Sequence, residues 1–233
     1  MTSLYHGSDP QNIPTYTIGD AARYLRMPAD TIRSWTAGRS YPTSQGERFF
    51  EPLITTAKRK PRLLTFTNLV EVHVLRAIRK HHKIRLDRVR TALDYVEEQF
   101  QVPHPLAREV FSTDGVNLFV ERYGTLISAS EQGQTNLKEA LEIHLRRIEV
   151  DDSGLAIKLY PFTRSDEAHN PRIVVIDPRI AFGRVVIADT GIPTSVVAER
   201  YRAGDSIRDL AEDYDCSAPS IEEAIRCEMP TAA

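Results

Sequence analysis

Arg33 is the side chain whose chemistry is most specific. Its guanidinium presents a planar fork of N–H donors that matches the two acceptors on the major-groove edge of guanine. The same fork serves a phosphate or a neighbouring carboxylate, and the sequence leaves those roles open. The run Lys58-Arg59-Lys60-Pro61-Arg62 concentrates cations with a different use, as a grip on phosphates or as a solvated linker. Other reactive residues weigh less. His81 and His82 are neighbours on a helical stretch and point in different directions, which does not make a metal pair. Cys216 and Cys227 are too few for a four-ligand zinc cluster or a disulfide framework, and two reduced cysteines are expected. Glu139, Glu142 and Glu149 read as a solvated face. With no Gly-rich phosphate loop, no His-Cys-Asp ligand spacing and no nucleophile motif, neither an enzyme nor any cofactor or metal is expected.

The charge distribution supports a nucleic-acid surface in one part of the chain only. The 233 residues carry a net charge of −2, but residues 1–90 hold 16 Lys and Arg against 7 Asp and Glu, and the remainder 14 against 25. A basic part draws in phosphates and releases their counterions, while an acidic part is repelled by the same surface. Two regions with two kinds of partner follow. No stretch approaches the roughly 18 apolar residues that span a membrane, and the opening MTSLYHGSDPQNIP lacks the basic and apolar regions of a signal peptide. A cytoplasmic location is expected.

Several short elements must position the basic side chains. Thr17 followed by Asp20 has capping-box spacing, and Ile18, Ala21, Ala22 and Leu25 repeat at helical intervals. Met27-Pro28 stops this helix, because proline disfavours helical backbone in the residue before it. Residues 29–37 form a second helix with Ile32 and Trp35 inward; Trp35 is read as core rather than as a base-stacking ring. This is a helix-turn-helix whose exposed face shows Asp30, Thr31, Arg33 and Ser34. Residues 39–64 follow this pair. Thr67 is expected to cap a helix reaching His81, and Leu86, Val89, Leu93, Val96 and Phe100 mark another. The DNA contacts are assigned to Thr17, Thr31, Arg33, Ser34, Arg39, Lys58, Arg59, Lys60 and Arg62.

YTIGDAARYLRMPADTIRSW resembles the start of MerR-type regulators, in which a Tyr-Thr-Ile-Gly helix leads to a Thr-Leu-Arg recognition helix. The resemblance implies a winged DNA-binding domain over residues 15–101, in which residues 39–64 would form a β wing with Tyr41, Phe49 and Phe50 as anchors and Lys58–Arg62 as its basic edge. Two departures stand out: Arg26 occupies the place of the usual turn glycine, and Pro28 that of the usual serine cap. The wing is also longer than usual.

Beyond Val102-Pro-His-Pro105, Phe111 to Glu121 carries Asp114-Gly115 between alternating apolar residues, the signature of a hairpin. Leu137–Arg147 reads as an amphipathic helix. Residues 148–150 and 155–160 make a second hairpin around Asp-Asp-Ser-Gly. Residues 102–170 are therefore expected to be a mixed connector or dimerisation region. Next, 172–178 and 183–187 read as strands, and three helices follow. Pro193 suits the first turn of one whose stripe is Val196, Val197 and Tyr201, while Ser206 and Ser217 cap the others. The last two form a second helix-turn-helix, in which Glu222 and Glu223 argue for protein contact rather than DNA.

IVVIDP, GRVVI, DTGIPT and AGDSIRDLAEDY are similar to the hallmarks of a small domain of unknown function found across bacteria and archaea, here residues 171–228. Thr190-Gly191 stands where that family has Thr-Arg. Genes for the domain commonly neighbour genes for PIN-type ribonucleases, and the layout resembles VapB-type antitoxins of the two-part kind. The resemblance implies an α+β, mostly α protein with a flexible leader over residues 1–14. It implies a type II antitoxin that represses its promoter on double-stranded DNA and neutralises a PIN-domain ribonuclease toxin; a homodimer is expected from geometry, because one short recognition helix supplies few base contacts. The alternative from the residues is an effector-responsive MerR-like regulator without a toxin.

Overall fold

In a computed structural model of the chain, residues 9–44, 46–57, 60–80, 86–127 and 130–229 are described. The fold is α+β and mostly α. Helices α1 (Ile18–Leu25) and α2 (Ala29–Ala37) lead into a hairpin of β1 (Arg39–Thr43) and β2 (Gly46–Phe50), paired from Arg39–Phe50 to Thr43–Gly46. Helices α3 (Phe66–Lys80) and α4 (Leu86–Phe100) follow. The cap of α3 is Thr65 rather than Thr67: the Thr65 hydroxyl accepts from the Asn68 N–H at 3.1 Å. Thr67 is buried instead, donating to the Asn12 side-chain oxygen at 3.3 Å.

The expected hairpin at Phe111–Glu121 is helical. A π-helical turn, Phe111–Gly115, runs into α5 (Val116–Ile127). Val116, Phe119, Val120 and Tyr123 are its buried residues, spaced i, i+3, i+4 and i+7. The apolar residues therefore carry both a two-residue and a helical period, and the aromatic rings at 119 and 123, stacked with centroids 5.8 Å apart, decide for the helix. Helix α6 (Glu131–Leu145) starts six residues before Leu137, because Ser130 accepts from the Gly133 N–H and caps it there.

Strands β3 (Ile148–Val150), β4 (Ala156–Leu159), β5 (Val174–Ile176) and β6 (Val185–Ile187) form one antiparallel sheet in that order. Leu159 pairs with Ile176, so the sheet crosses the boundary expected at residue 171. Helices α7 (Thr194–Ala203), α8 (Ile207–Asp213) and α9 (Ala218–Glu228) complete the chain, with Ser206 and Ser217 capping the last two. In α7 the buried residues are Thr194, Val197 and Ala198. Val196 and Tyr201 stay partly exposed, so the stripe lies about one residue away from its expected phase.

A single apolar core extends from Tyr16 and Leu25 through Phe66, Phe111 and Leu141 to Cys227, and a smaller one gathers Val197, Leu210, Ile221 and Ile225. The two ends of the chain are also tied electrostatically. Arg23 pairs with Glu228 at 2.7 Å, and Arg26 donates to the Arg226 carbonyl at 2.7 Å. At the centre, buried Arg147 donates to the carbonyls of Tyr160, Pro161, Asn170 and Pro171. It thereby clasps the segment that links β4 to β5. Burial and the nearby Arg172 lower its pKa to about 10.

Candidate nucleic-acid interface

Thr17 and Asp20 form the full capping box. The Thr17 hydroxyl accepts from the Asp20 N–H at 3.0 Å and donates to the Asp20 carboxylate at 2.7 Å, which also accepts from the Thr17 N–H. This leaves the hydroxyl, assigned to DNA by its sequence position, little capacity beyond the cap. Arg26 closes α1 in a left-handed conformation at φ 50°, the geometry a glycine would adopt more cheaply in this turn. Helix α2 has Pro28 at its cap and no side-chain hydrogen bond there.

Ile32, Trp35 and Thr36 are buried and fix the inner face of α2. Trp35 is core, 3% exposed, and its carbonyl accepts from the Leu53 and Ile54 N–H groups. Arg62 donates to the Thr36 carbonyl and the Thr56 hydroxyl. Its guanidinium therefore fastens the end of α2 to the segment behind the hairpin. Lys60 is exposed; Lys58 and Arg59 lie outside the described residues, as do His81 and His82.

The outer face of α2 carries Arg33 and Asp30, which form an ion pair with side chains 58% and 91% exposed. An exposed pair of this kind contributes little stability and exchanges readily for another partner. Thr31 and Ser34 are half-buried, and Arg39 opens the hairpin in full exposure. Gly38, at φ 74°, makes the passage from helix to hairpin; a Cβ there would overlap the Phe50 carbonyl and the Phe49 ring. The hairpin buries neither face: Tyr41 and Phe49 are 39% and 53% exposed. Phe50 is braced by the Arg90 guanidinium 5.0 Å from its ring centroid. Arg90 also donates to the Pro52 carbonyl at 2.9 Å.

Two arginines complete this surface without having been singled out from sequence. Arg79, exposed at the end of α3, donates to the Thr31 hydroxyl at 2.5 Å. With Arg39 it lines a groove of about 380 Å³, together with Asp30, Thr31, Ser34 and Trp35. Arg90 is the brace just described. The available signal was the basic stretch 76–90, with seven Lys and Arg against Asp87. Arg39 and Arg79 thus place two exposed cations on the same face as Arg33.

The second helix-turn-helix, α8 and α9, is arranged differently. Glu222 is exposed, but Glu223 turns inward to Arg164, whose Nε donates at 2.7 Å, and to the Thr163 hydroxyl. Burial pushes its pKa up, yet these donors outweigh that and hold the carboxyl below its usual range. The far end of α9 is occupied by Arg23 and Arg26.

Residues 14–93 match the family model described as "Putative DNA-binding HTH domain", and residues 174–226 match that of "Protein of unknown function (DUF433)". The chain joins a DNA-binding helix-turn-helix domain to a DUF433 domain. Over 92% of its length it is 28% identical to "Putative antitoxin VapB45" of Mycobacterium tuberculosis, covering 93% of that protein. It is 26% identical over 90% of its length to "Uncharacterized protein Rv2308" of the same organism, covering 88% of it. The crystal structure of Rv2018 from Mycobacterium tuberculosis superposes with a TM-score of 0.70 at 25% identity, covering 91% of this chain and 98% of that one. The helix-turn-helix domain corresponds to α1 through α4. The DUF433 domain corresponds to β5 through α9, so α9, docked on α1, joins the two. Among the described residues no helix is long and apolar enough to cross a membrane.

Proposed function

We propose that this chain is the antitoxin of a type II toxin–antitoxin pair. In this reading it binds its own promoter as a homodimer, represses it, and neutralises a PIN-domain ribonuclease toxin in the cytoplasm. Helix α2 enters the major groove with Arg33 at a base edge, while the Ser34 hydroxyl stays buried behind it. Arg39, Lys58, Arg59, Lys60 and Arg79 contact phosphates along the flanking backbone. Arg62 acts behind them by holding the end of α2. The dimer follows from geometry, because a nine-residue helix reads few base pairs and operator symmetry mirrors protein symmetry.

The observation that carries the reading is the exposed outer face of α2, flanked by Arg39 and Arg79 in a helix-turn-helix domain. The antitoxin-named relative, aligned over nearly the whole of both chains, supports the second half. Catalysis has no part in it.

The test has two arms. Gel shifts with the upstream DNA at two salt concentrations should give binding that weakens steeply with salt; no binding at low salt refutes the repressor half. Co-expression with the product of an adjoining PIN-like reading frame should relieve growth arrest. A toxin that stays active in excess antitoxin refutes the other half.

A further inference from the structure

The connection between β5 and β6 holds a phenyl ring in solvent on a backbone that is under strain. Ala181 and Phe182 both adopt left-handed backbone, at φ 48° and 56°, and Gly183 follows at φ 75°. Two consecutive non-glycine residues in that region persist only where their surroundings impose it, and such strain gathers at functional turns. The imposing contacts are present. The Asp177 carboxylate, buried, takes the Arg179 N–H and both Nε and Nη2 of its guanidinium at 2.7–2.9 Å. Gly183 donates to the Ile180 carbonyl at 2.9 Å and packs so closely on Tyr16 that a Cβ would overlap the phenol. Phe182, 70% exposed, is the most exposed large apolar residue described. Arg184 stands exposed beside it. An exposed aromatic side chain carried on a constrained backbone suits an interface anchor.

A complementary hole opens elsewhere on the molecule. Between α3, α4 and the turn at 103–106 lies a hollow of about 210 Å³, lined by Leu53, Leu93 and Leu106 together with the polar side chains of Glu71, Asp94, Glu97 and His104. The anchor carries positive charge and the hole negative charge. One chain cannot bring them together, since both are built into fixed parts of its fold.

We propose that Phe182 of one copy seats in the Leu53–Leu93–Leu106 hole of a second copy, with Arg184 facing Asp94 and Glu97, and that the two copies exchange this contact reciprocally. Reciprocal exchange is the geometry of a two-fold dimer and closes the assembly at two. The proposal rests on the homodimer reading above and on nothing in its toxin half.

Sedimentation equilibrium of the full chain tests it without DNA. Phe182→Ala, an exposed site, should leave the circular dichroism unchanged while weakening dimerisation about tenfold or more. Arg184→Glu and Glu97→Arg should each weaken it, and their combination should restore much of the loss. A Phe182→Ala dimer as tight as the unaltered one overturns the proposed interface and leaves the dimer reading standing. A double charge reversal no tighter than either single change also overturns it. An unaltered chain that stays monomeric at every concentration ends both.

Discussion

Arg79 donates a hydrogen bond to Thr31, joining the last turn of α3 to the outer face of α2 across 48 residues of sequence. This contact fixes a cation on the same face as Arg33, and the two arginines should behave differently when removed. Arg79→Ala should weaken binding to specific and unrelated DNA alike and lower the salt slope by about one. Arg33→Ala should cost about 1–3 kcal/mol on the specific site and relax its sequence preference. Competition gel shifts with scrambled sites measure both. Equal losses for Arg33→Ala on every sequence would make it a phosphate contact.

Gly38 links α2 to the hairpin in a conformation only glycine adopts without strain, and against the Phe50 carbonyl, which cannot move aside cheaply. Gly38→Ala should destabilise the protein by on the order of 1–3 kcal/mol. Because the displaced element is the hairpin, DNA affinity should fall as well. Chemical denaturation and gel shifts on the same preparation check the pair of effects. A variant that melts normally and binds normally would show that the hairpin position is immaterial.

Local rules made much of this legible. The Thr17–Asp20 box, the Pro28 break and the Ile32–Trp35 spacing all act within four residues, and each appears where the sequence places it. The same holds for Ser206 and Ser217. Errors arose where two periods fit the same residues. At Val116–Val120 the alternating reading and the helical reading share members, and only the long-range packing of Phe111, Phe119 and Tyr123 separates them. Arg79 was missed for a related reason. Its partner Thr31 is distant in sequence, and three residues earlier Arg76 turns inward to Glu167 at 2.7 Å, so the basic stretch alone does not say which of its members face out. Glu223 illustrates the converse: an acid expected on the surface is buried because Arg164 meets it.

Arg147 should be among the most sensitive positions for stability, although it touches no proposed partner. Four carbonyls depend on its guanidinium, and an apolar replacement leaves buried acceptors without donors. Arg147→Met should lower stability by at least about 3 kcal/mol. Arg147→Lys keeps the charge but lacks the planar fork and should rescue only a small part. Urea titrations with unchanged slope would report this directly; a loss below about 1 kcal/mol would mean that water replaces the clasp.

His73 should make stability depend on pH between neutrality and pH 5. It is fully buried, and Nε2 bonds to the His144 carbonyl at 3.1 Å, while Nδ1 has no hydrogen-bond partner. Burial lowers its pKa well below the usual value, and the neighbouring His144, Arg76 and Arg147 push it the same way. Above about pH 6.5 the imidazole is neutral whether the chain is folded or not, and stability is full. As pH falls below that, the unfolded chain takes up a proton that the folded one refuses, so stability declines by about 1.4 kcal/mol per pH unit. His104 acts in the opposite sense. Its hydrogen bond to Glu71 raises its pKa, so its contribution is full below about pH 6.5 and fades as pH rises through the folded value. Comparing the unaltered chain with His73→Leu cancels the His104 contribution. The stability advantage of the unaltered chain should shrink by about 2 kcal/mol from pH 7 to pH 5. An advantage that stays constant across that range would mean that His73 takes up its proton without unfolding the helices around it.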